Sequence, residues 1–413
     1  MFLRSTVFLF VVGVPVGPAA AQGLLFELEA PTDASVPYAA QTAAAGDVNG
    51  DAVPDVIVGI PSVLGSGFWS GRLEIRSGDD GRPLDSVTGA DGERVGAGAT
   101  SAGDVDDDGT PDVATFAFEE GAWEVRILSG DDLSVLREYQ GPAGLAHPMG
   151  LARVGDVDGD GVLDLAIAYD DGIRVHSGAD GGVLLAFSDF EWWSMTGLDD
   201  LDGDGHGDLA FGRRSDAGGF VSIVSGADGT AMHEQGLELG LEQFGRRVAD
   251  AGDVDGDGAH DLLVGVPRGI GEGKGTVRLV SGIDGTLIRK WKSETPDPND
   301  VGNDGFGSAL CGVGDVDGDD VPDVLLGACD DESPGGAEAG RATVHSGKTG
   351  QAIFTLYGDS KAHEFGIAVA GLGDTTGDGV PDVLVNLGSS SLPDAYARVF
   401  SGRGGDFVPG QAL

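Results

Sequence analysis

The stretch "AGDVDGDGAHDLLVG", Ala251–Gly265, decides the reading of this chain. Aspartates stand at 253, 255, 257 and 261, and an apolar run follows at once. With Asp253 as the first position, side-chain oxygens fall at the first, third, fifth and ninth, and Ala259 offers a backbone carbonyl at the seventh. Gly258 at the sixth position permits a sharp turn. Hard oxygen donors in a short flexible loop suit Ca²⁺ better than Mg²⁺ or Zn²⁺. An EF-hand would need a glutamate at the twelfth position, where Val264 stands, and the chain leaves the loop into a strand rather than a helix. The stretch therefore predicts the tip of a calcium-binding β-hairpin.

The pattern recurs seven times. Loop by loop the candidate ligands are Asp47, Asn49, Asp51 and Asp55; Asp104, Asp106, Asp108 and Asp112; Asp156, Asp158, Asp160 and Asp164; Asp200, Asp202, Asp204 and Asp208; Asp253, Asp255, Asp257 and Asp261; Asp315, Asp317, Asp319 and Asp323; Asp374, Thr376, Asp378 and Asp382. Up to seven Ca²⁺ ions are expected. Asn49 and Ala52 in the first loop and Thr376 in the last make those two the weakest. A second signature keeps the same period: Ser77-Gly78, Ser129-Gly130, Ser177-Gly178, Ser225-Gly226, Ser281-Gly282, Ser346-Gly347 and Ser401-Gly402. Gly and Asp there are expected to supply the positive φ of a tight hairpin. Each unit reads as strand, acidic loop, strand, variable loop, strand, Ser-Gly turn, strand. Seven such units of four antiparallel strands predict an all-β, seven-bladed β-propeller. "LLFELEA", Leu24–Ala30, reads as a spare fourth strand, and the last unit lacks one, so the spare is expected to pair near Ala397–Phe400 and close the ring.

At this point the chain resembles the FG-GAP repeat family, which includes the propeller of integrin α-subunits. Phe244-Gly245, Phe306-Gly307 and Phe365-Gly366 precede acidic loops, and Gly59-Ile60-Pro61 and Gly265-Val266-Pro267 follow them. In the fourth unit Glu191-Trp192 stands at the Phe-Gly place, and in the sixth Cys329 replaces the proline. In integrins only some blades carry the calcium loop, so integrin signalling is not carried over. The resemblance implies extracellular adhesion or ligand binding.

The chain has 413 residues with 74 Gly and a formal net charge of −45, from 69 acidic and 24 basic residues. That charge repels nucleic acid and anionic membranes and attracts cations. Residues 1–21, with Arg4, an apolar core and Ala19 and Ala21, read as a signal peptide; 22–413 reads as a single propeller domain. No later apolar run approaches a membrane span. The expectation is a secreted, periplasmic or surface-held monomer. Cys311 and Cys329 flank the sixth acidic loop and are expected to form a cross-strand disulfide, against the alternative of two buried thiols.

The acidic loops and Ser-Gly turns fall on one face, and the variable loops on the other. Rigid scaffolds mount binding sites on such loops. Phe68, Trp69 and Trp291 are the candidate contacts for an extracellular protein or glycan, set against plain packing at a blade edge. The seven histidines are scattered, and no zinc spacing, nucleophile elbow or phosphate loop appears. The chain therefore reads as a binding module with structural calcium loops and no catalytic residues. The alternatives are an extracellular polysaccharide lyase or hydrolase on the non-calcium face, or a purely structural surface component.

Overall fold

The computed structural model describes residues 23–29, 41–61, 63, 69–119, 122–140, 150–188, 191–215, 218–236, 243–267, 275–293, 304–331, 339–358, 364–388 and 397–404. Among these there are 28 strands, no helix, and seven four-stranded antiparallel sheets. Strand β1 is Leu24–Leu28. Blade one holds β2 (Gln41–Gly46), β3 (Asp55–Ile60), β4 (Arg72–Arg76) and β5 (Pro83–Thr88). Blade two holds β6 (Ala99–Gly103), β7 (Asp112–Glu119), β8 (Ala122–Leu128) and β9 (Val135–Gln140). Blade three holds β10 (Gly150–Val154), β11 (Asp164–Tyr169), β12 (Gly172–His176) and β13 (Val183–Ser188). Blade four holds β14 (Glu191–Leu198), β15 (Asp208–Ser215), β16 (Gly218–Val224) and β17 (Ala231–Gly236). Blade five holds β18 (Arg247–Gly252), β19 (Asp261–Val266), β20 (Thr276–Val280) and β21 (Leu287–Lys292). Blade six holds β22 (Phe306–Gly314), β23 (Asp323–Ala328), β24 (Arg341–His345) and β25 (Ala352–Tyr357). Blade seven holds β26 (Val369–Gly373), β27 (Asp382–Asn386) and β28 (Ala397–Phe400), completed by β1.

The composition of each strand follows its distance from the axis. Several first strands, such as β2 "QTAAAG" and β6 "ATSAG", are rich in small residues, and all seven first strands converge and touch their neighbours around the ring. The crowding is direct: a Cβ on Gly312 would lie 2.9 Å from the Asp250 carbonyl, and one on Gly371 2.9 Å from the Gly312 carbonyl. Second strands are sandwiched between blades and read as continuous apolar runs; β11 "DLAIAY" and β19 "DLLVGV" are buried throughout. Fourth strands face solvent and alternate, as in β13 "VLLAFS". The core is a series of inter-blade clusters; Val221 and Ile223 of β16, for example, pack on Leu262 and Val264 of β19.

Ring closure is as expected. Strand β1 pairs antiparallel with β28, with Leu24 opposite Phe400 and Leu28 opposite Ala397. Leu28 is fully buried against Val56, Leu384 and Val399, joining blade seven to blade one, and Glu27 pairs with Arg398 at 2.7 Å.

The disulfide expectation is corrected: both cysteines are free. Cys311 stands opposite Leu325 in the β22–β23 register, whereas Cys329 lies one residue beyond β23, past the Phe306–Ala328 pair. The two are several residues apart along the hairpin, beyond the Cα separation a disulfide spans. Cys311 packs with the blade six–seven cluster, and Cys329 lies beside Ser308. Trp291 is also corrected as a contact residue. It is 6% exposed, packs between blades five and six, and donates its indole N–H to the Gly350 carbonyl at 2.9 Å. A residue at that position on an outer strand points at the next blade, not at solvent. Phe68 lies outside the described residues.

Because β1 closes the ring through one fully buried leucine, Leu28→Ala is expected to cost about 3 kcal/mol. Denaturant unfolding of the variant checks it; a loss below about 1 kcal/mol would show that β1 does not carry the closure.

Candidate metal centre

Each acidic loop is wound around its first aspartate. In the fifth, Asp253 Oδ1 accepts the amides of Gly256 (2.7 Å) and Asp257 (3.1 Å), and Oδ2 accepts that of Gly258 (3.0 Å). The Asp255 carboxylate accepts the Asp257 amide, and the Asp257 carboxylate accepts that of Ala259. This winding needs left-handed backbone at the fourth and sixth positions: Gly256 has φ 79° and Gly258 φ 95°. Asp320 (φ 64°) and Ala52 (φ 69°) take the same conformation at the sixth position of their loops. Asparagine and aspartate tolerate it, and alanine is strained by it.

The ninth aspartate does something the sequence did not announce. It is completely buried in all seven blades, at Asp55, Asp112, Asp164, Asp208, Asp261, Asp323 and Asp382. One carboxylate oxygen accepts the amide of the loop's second residue, as Val157 to Asp164 Oδ2 at 2.7 Å. The other accepts the amide of the Ser-Gly glycine, as Gly178 to Asp164 Oδ1 at 2.8 Å. The same bond joins Gly78 to Asp55, Gly130 to Asp112, Gly226 to Asp208, Gly282 to Asp261, Gly347 to Asp323 and Gly402 to Asp382. The two repeat signatures are thus two ends of one contact. The Ser-Gly glycine is there for close approach, not for positive φ as expected: a Cβ on Gly178 would lie 2.0 Å from the Leu163 carbonyl. The positive φ falls three residues later, at Gly81, Gly181, Gly229, Gly285 and Gly350 and at Leu133 in the second blade, and two residues later, at Gly404, in the seventh.

Oxygens of three carboxylates converge within 4.8 Å of one another in the second to sixth loops: Asp104, Asp106 and Asp108; Asp156, Asp158 and Asp164; Asp200, Asp202 and Asp208; Asp253, Asp255 and Asp261; Asp315, Asp317 and Asp323. The donors are all carboxylate oxygens, with no nitrogen or sulfur, and one member of four of these sets is a buried anion. This chemistry fits a hard divalent cation. Burial, opposed only in part by the amide bonds, pushes Asp164, Asp261 and Asp323 up to about 6 and raises Asp55, Asp112, Asp208 and Asp382 as well. A bound cation would neutralise the charge that burial penalises.

The first and seventh loops differ. Asn49 removes one charge from the first. In the seventh, the Thr375 hydroxyl donates to Asp382 at 2.7 Å and the Thr376 hydroxyl to Asp374 at 3.3 Å. There Arg403, from the Ser-Gly turn, places Nε 2.8 Å from Asp378 Oδ2. The chain supplies a cation of its own to that loop. Arg403 was missed as a site residue, although "SGRGG" differs visibly from the acidic "SGDDG" and "SGADG" of other blades.

The opposite face has its own joint. The carbonyls of Gly245, Gly307 and Gly366 lie where a Cβ on Gly212, Gly265 and Gly327 would be, at 1.7, 2.4 and 2.2 Å. The Phe-Gly element of one blade therefore sits on the post-loop glycine of the preceding blade, with Phe244, Phe306 and Phe365 buried beneath it. The comparisons with known proteins agree. The FG-GAP repeat family matches residues 245–280. Over that span the chain matches the FG-GAP repeat, and it is similar to integrin α chains. Integrin alpha-3 of Cricetulus griseus is 32% identical over 151 residues, 33% of this chain and 14% of that protein. Integrin alpha-PS2 of Drosophila melanogaster is 31% identical over 212 residues, 46% of this chain and 15% of that protein. The chain thus spans a small fraction of the length of the curated relatives it matches. Among solved structures, that of BBS1N in complex with ARL6DN, soaked with mercury, shares the fold: TM-score 0.55, 10% identity, covering 91% of this chain and 96% of that one.

Two of the described histidines serve packing. His176 lies against Tyr139, and His345 against Trp291, each with Nδ1 on a turn carbonyl, Gly181 or Gly350. Burial pushes His345 down to about 4. His260 bridges Asp250 and Asp199 at 3.0 Å each, where most blades have an apolar contact such as Pro322 against Gly252.

Two outcomes are expected. Gly178→Ala drives a methyl into the Leu163 carbonyl and costs about 3 kcal/mol in denaturant unfolding; a neutral result would show that the turn is free to move. The second concerns pH. The folded values of Asp164, Asp261 and Asp323 stand above that of an unfolded aspartate, so protonation favours the fold. Their contribution is full below about pH 4 and lost as pH rises through about 6. Metal-stripped protein should melt at falling temperature between about pH 5 and about pH 7, and saturating calcium should abolish the slope. A flat metal-free profile would contradict this.

Proposed function

We propose that the chain is an exported, calcium-stabilised β-propeller that binds an extracellular protein or glycan, with residues 1–21 a removed export signal and 22–413 one monomeric domain. The acidic loops, Asp47 to Asp382, are its Ca²⁺ ligands and serve the fold rather than catalysis. The similarity to integrin α chains supports a ligand-binding role outside the cell. Among the described residues no helix is long and apolar enough to cross a membrane.

The observation that carries the proposal is the division of labour between faces. On the loop face each acidic cluster is tied to its own hairpin. On the other face Trp69 is 44% exposed, and the Arg94 guanidinium lies over its ring at 5.1 Å. Its backbone is fixed, because the Ser70 amide donates to Val63 and the Val95 amide to Ser70, both at 3.0 Å. An exposed indole on a rigid edge, paired with a cation, is a ready contact for a sugar ring or a peptide. The test is a glycan and protein binding screen of the mature, calcium-loaded protein. The expected result is saturable binding that Trp69→Ala weakens at least about tenfold while the melting temperature is kept. Binding to no surface component would count against the proposal.

A further inference from the structure

Carboxylates outnumber basic side chains 69 to 24, so most described arginines find one. On the face opposite the acidic loops, Arg213 pairs with Glu234 at 2.5 Å and Arg214 with Glu191 at 3.3 Å. Three arginines on or beside the innermost strands do not: Arg153, Arg246 and Arg247 have no carboxylate within ion-pair distance among the described residues. Arg153 lines a cavity of about 530 Å³ near the axis, beside Asp104. Arg246 and Arg247 are adjacent, at the foot of β18, where the first strand of blade five begins.

That foot lies on the face opposite the acidic loops, because the first strand runs from there to its loop. Both side chains are exposed. Arg247 is nonetheless held: Nε donates to the Ser308 carbonyl of blade six at 2.9 Å and Nη1 to the Arg246 carbonyl at 3.1 Å. Two neutral acceptors fix the guanidinium plane, and among the described residues its remaining N–H groups and its charge meet no anion. Arg246 adds a second guanidinium, for which there is no acceptor among the described residues. Crowding by protein and, after it, the like charge of Arg246 both depress Arg247. A pre-oriented arginine fork beside a second arginine is the donor set that takes an oxyanion bidentately.

We infer that Arg246 and Arg247 form a receptor for an oxyanion, a carboxylate or sulfate group, at the inner rim of the face opposite the acidic loops. The chemistry deepens the ligand-binding proposal by naming the group that would be recognised there; it rests on that proposal for its biological use. Two sources of the group are a free oxyanion and the acid groups of a glycan.

The test is calorimetric titration of the full mature chain, calcium-loaded, with sodium sulfate, with galacturonate and with an oligogalacturonate. Saturable binding is expected, weakened at least about tenfold by Arg247→Ala and by Arg246→Ala. Arg247→Lys keeps the charge without the fork and should fall between. Arg214→Ala, whose arginine is already paired, should bind as the parent does. Melting temperatures of all variants establish that they are folded. A chain at least about tenfold tighter than single galacturonate assigns the group to an acidic glycan; equal affinities assign it to a free oxyanion. No saturable binding, or parental affinity in Arg247→Ala, overturns the inference. The titration uses no cell-surface material, so anion binding without capture of a surface component would sink the ligand-binding proposal alone, and capture without anion binding would sink this one alone.

Discussion

One buried carboxylate per blade holds the rest in place. The ninth aspartate of each loop accepts an amide from the loop on one oxygen and an amide from the Ser-Gly turn on the other, at 2.7 and 2.8 Å in blade three. It thereby locks the first hairpin of a blade to the second. A fully buried anion with amide donors alone is costly, and the raised values at Asp164, Asp261 and Asp323 record that cost. The neighbouring aspartates worsen it by repulsion. A hard cation in the loop reverses the sign of that repulsion, so metal affinity and folding become one quantity. The seventh loop supports the same logic, since Arg403 and two threonine hydroxyls already meet its carboxylates.

The two faces solve different problems. The loop face ties strands within a blade. The opposite face ties blade to blade, through the Phe-Gly carbonyl seated on a glycine of the preceding blade. Both joints require backbone-to-backbone approach, which explains why glycine is so abundant in a chain with a real core. What remains unspent is the set of variable loops and the inner rim, where Trp69 with Arg94 and the Arg246–Arg247 pair face solvent.

Much of this was legible because the repeat multiplies weak signals. Seven copies of an aspartate pattern fixed strand order, loop faces and the swap of Leu24–Leu28 into the last blade. What failed was side-chain direction. Trp291 and Cys329 sit in variable sequence, yet the alternation of an outer strand turns Trp291 onto blade six, and register separates Cys329 from Cys311. No periodicity within one unit reports on the next blade. The reading of Gly178 and its equivalents failed for a similar reason: a glycine kept for contact across a hairpin looks, in sequence, like one kept for φ. Arg403 was visible as an oddity, and so was Asp199, which stands where other loops have glycine and pairs with His260. Asp199 is a departure matched by a second departure in contact with it, whereas Arg403 departs alone and meets the ordinary fifth-position aspartate, Asp378.

The stability of the ring depends on the loops acting as metal ties. Differential scanning calorimetry of verified metal-free protein, with and without saturating calcium, tests that most directly. Five converged clusters, each contributing about 2.7 kcal/mol at a hundredfold excess over its dissociation constant, predict a rise in melting temperature of more than about 10 °C. Equal melting temperatures in the two samples would contradict it.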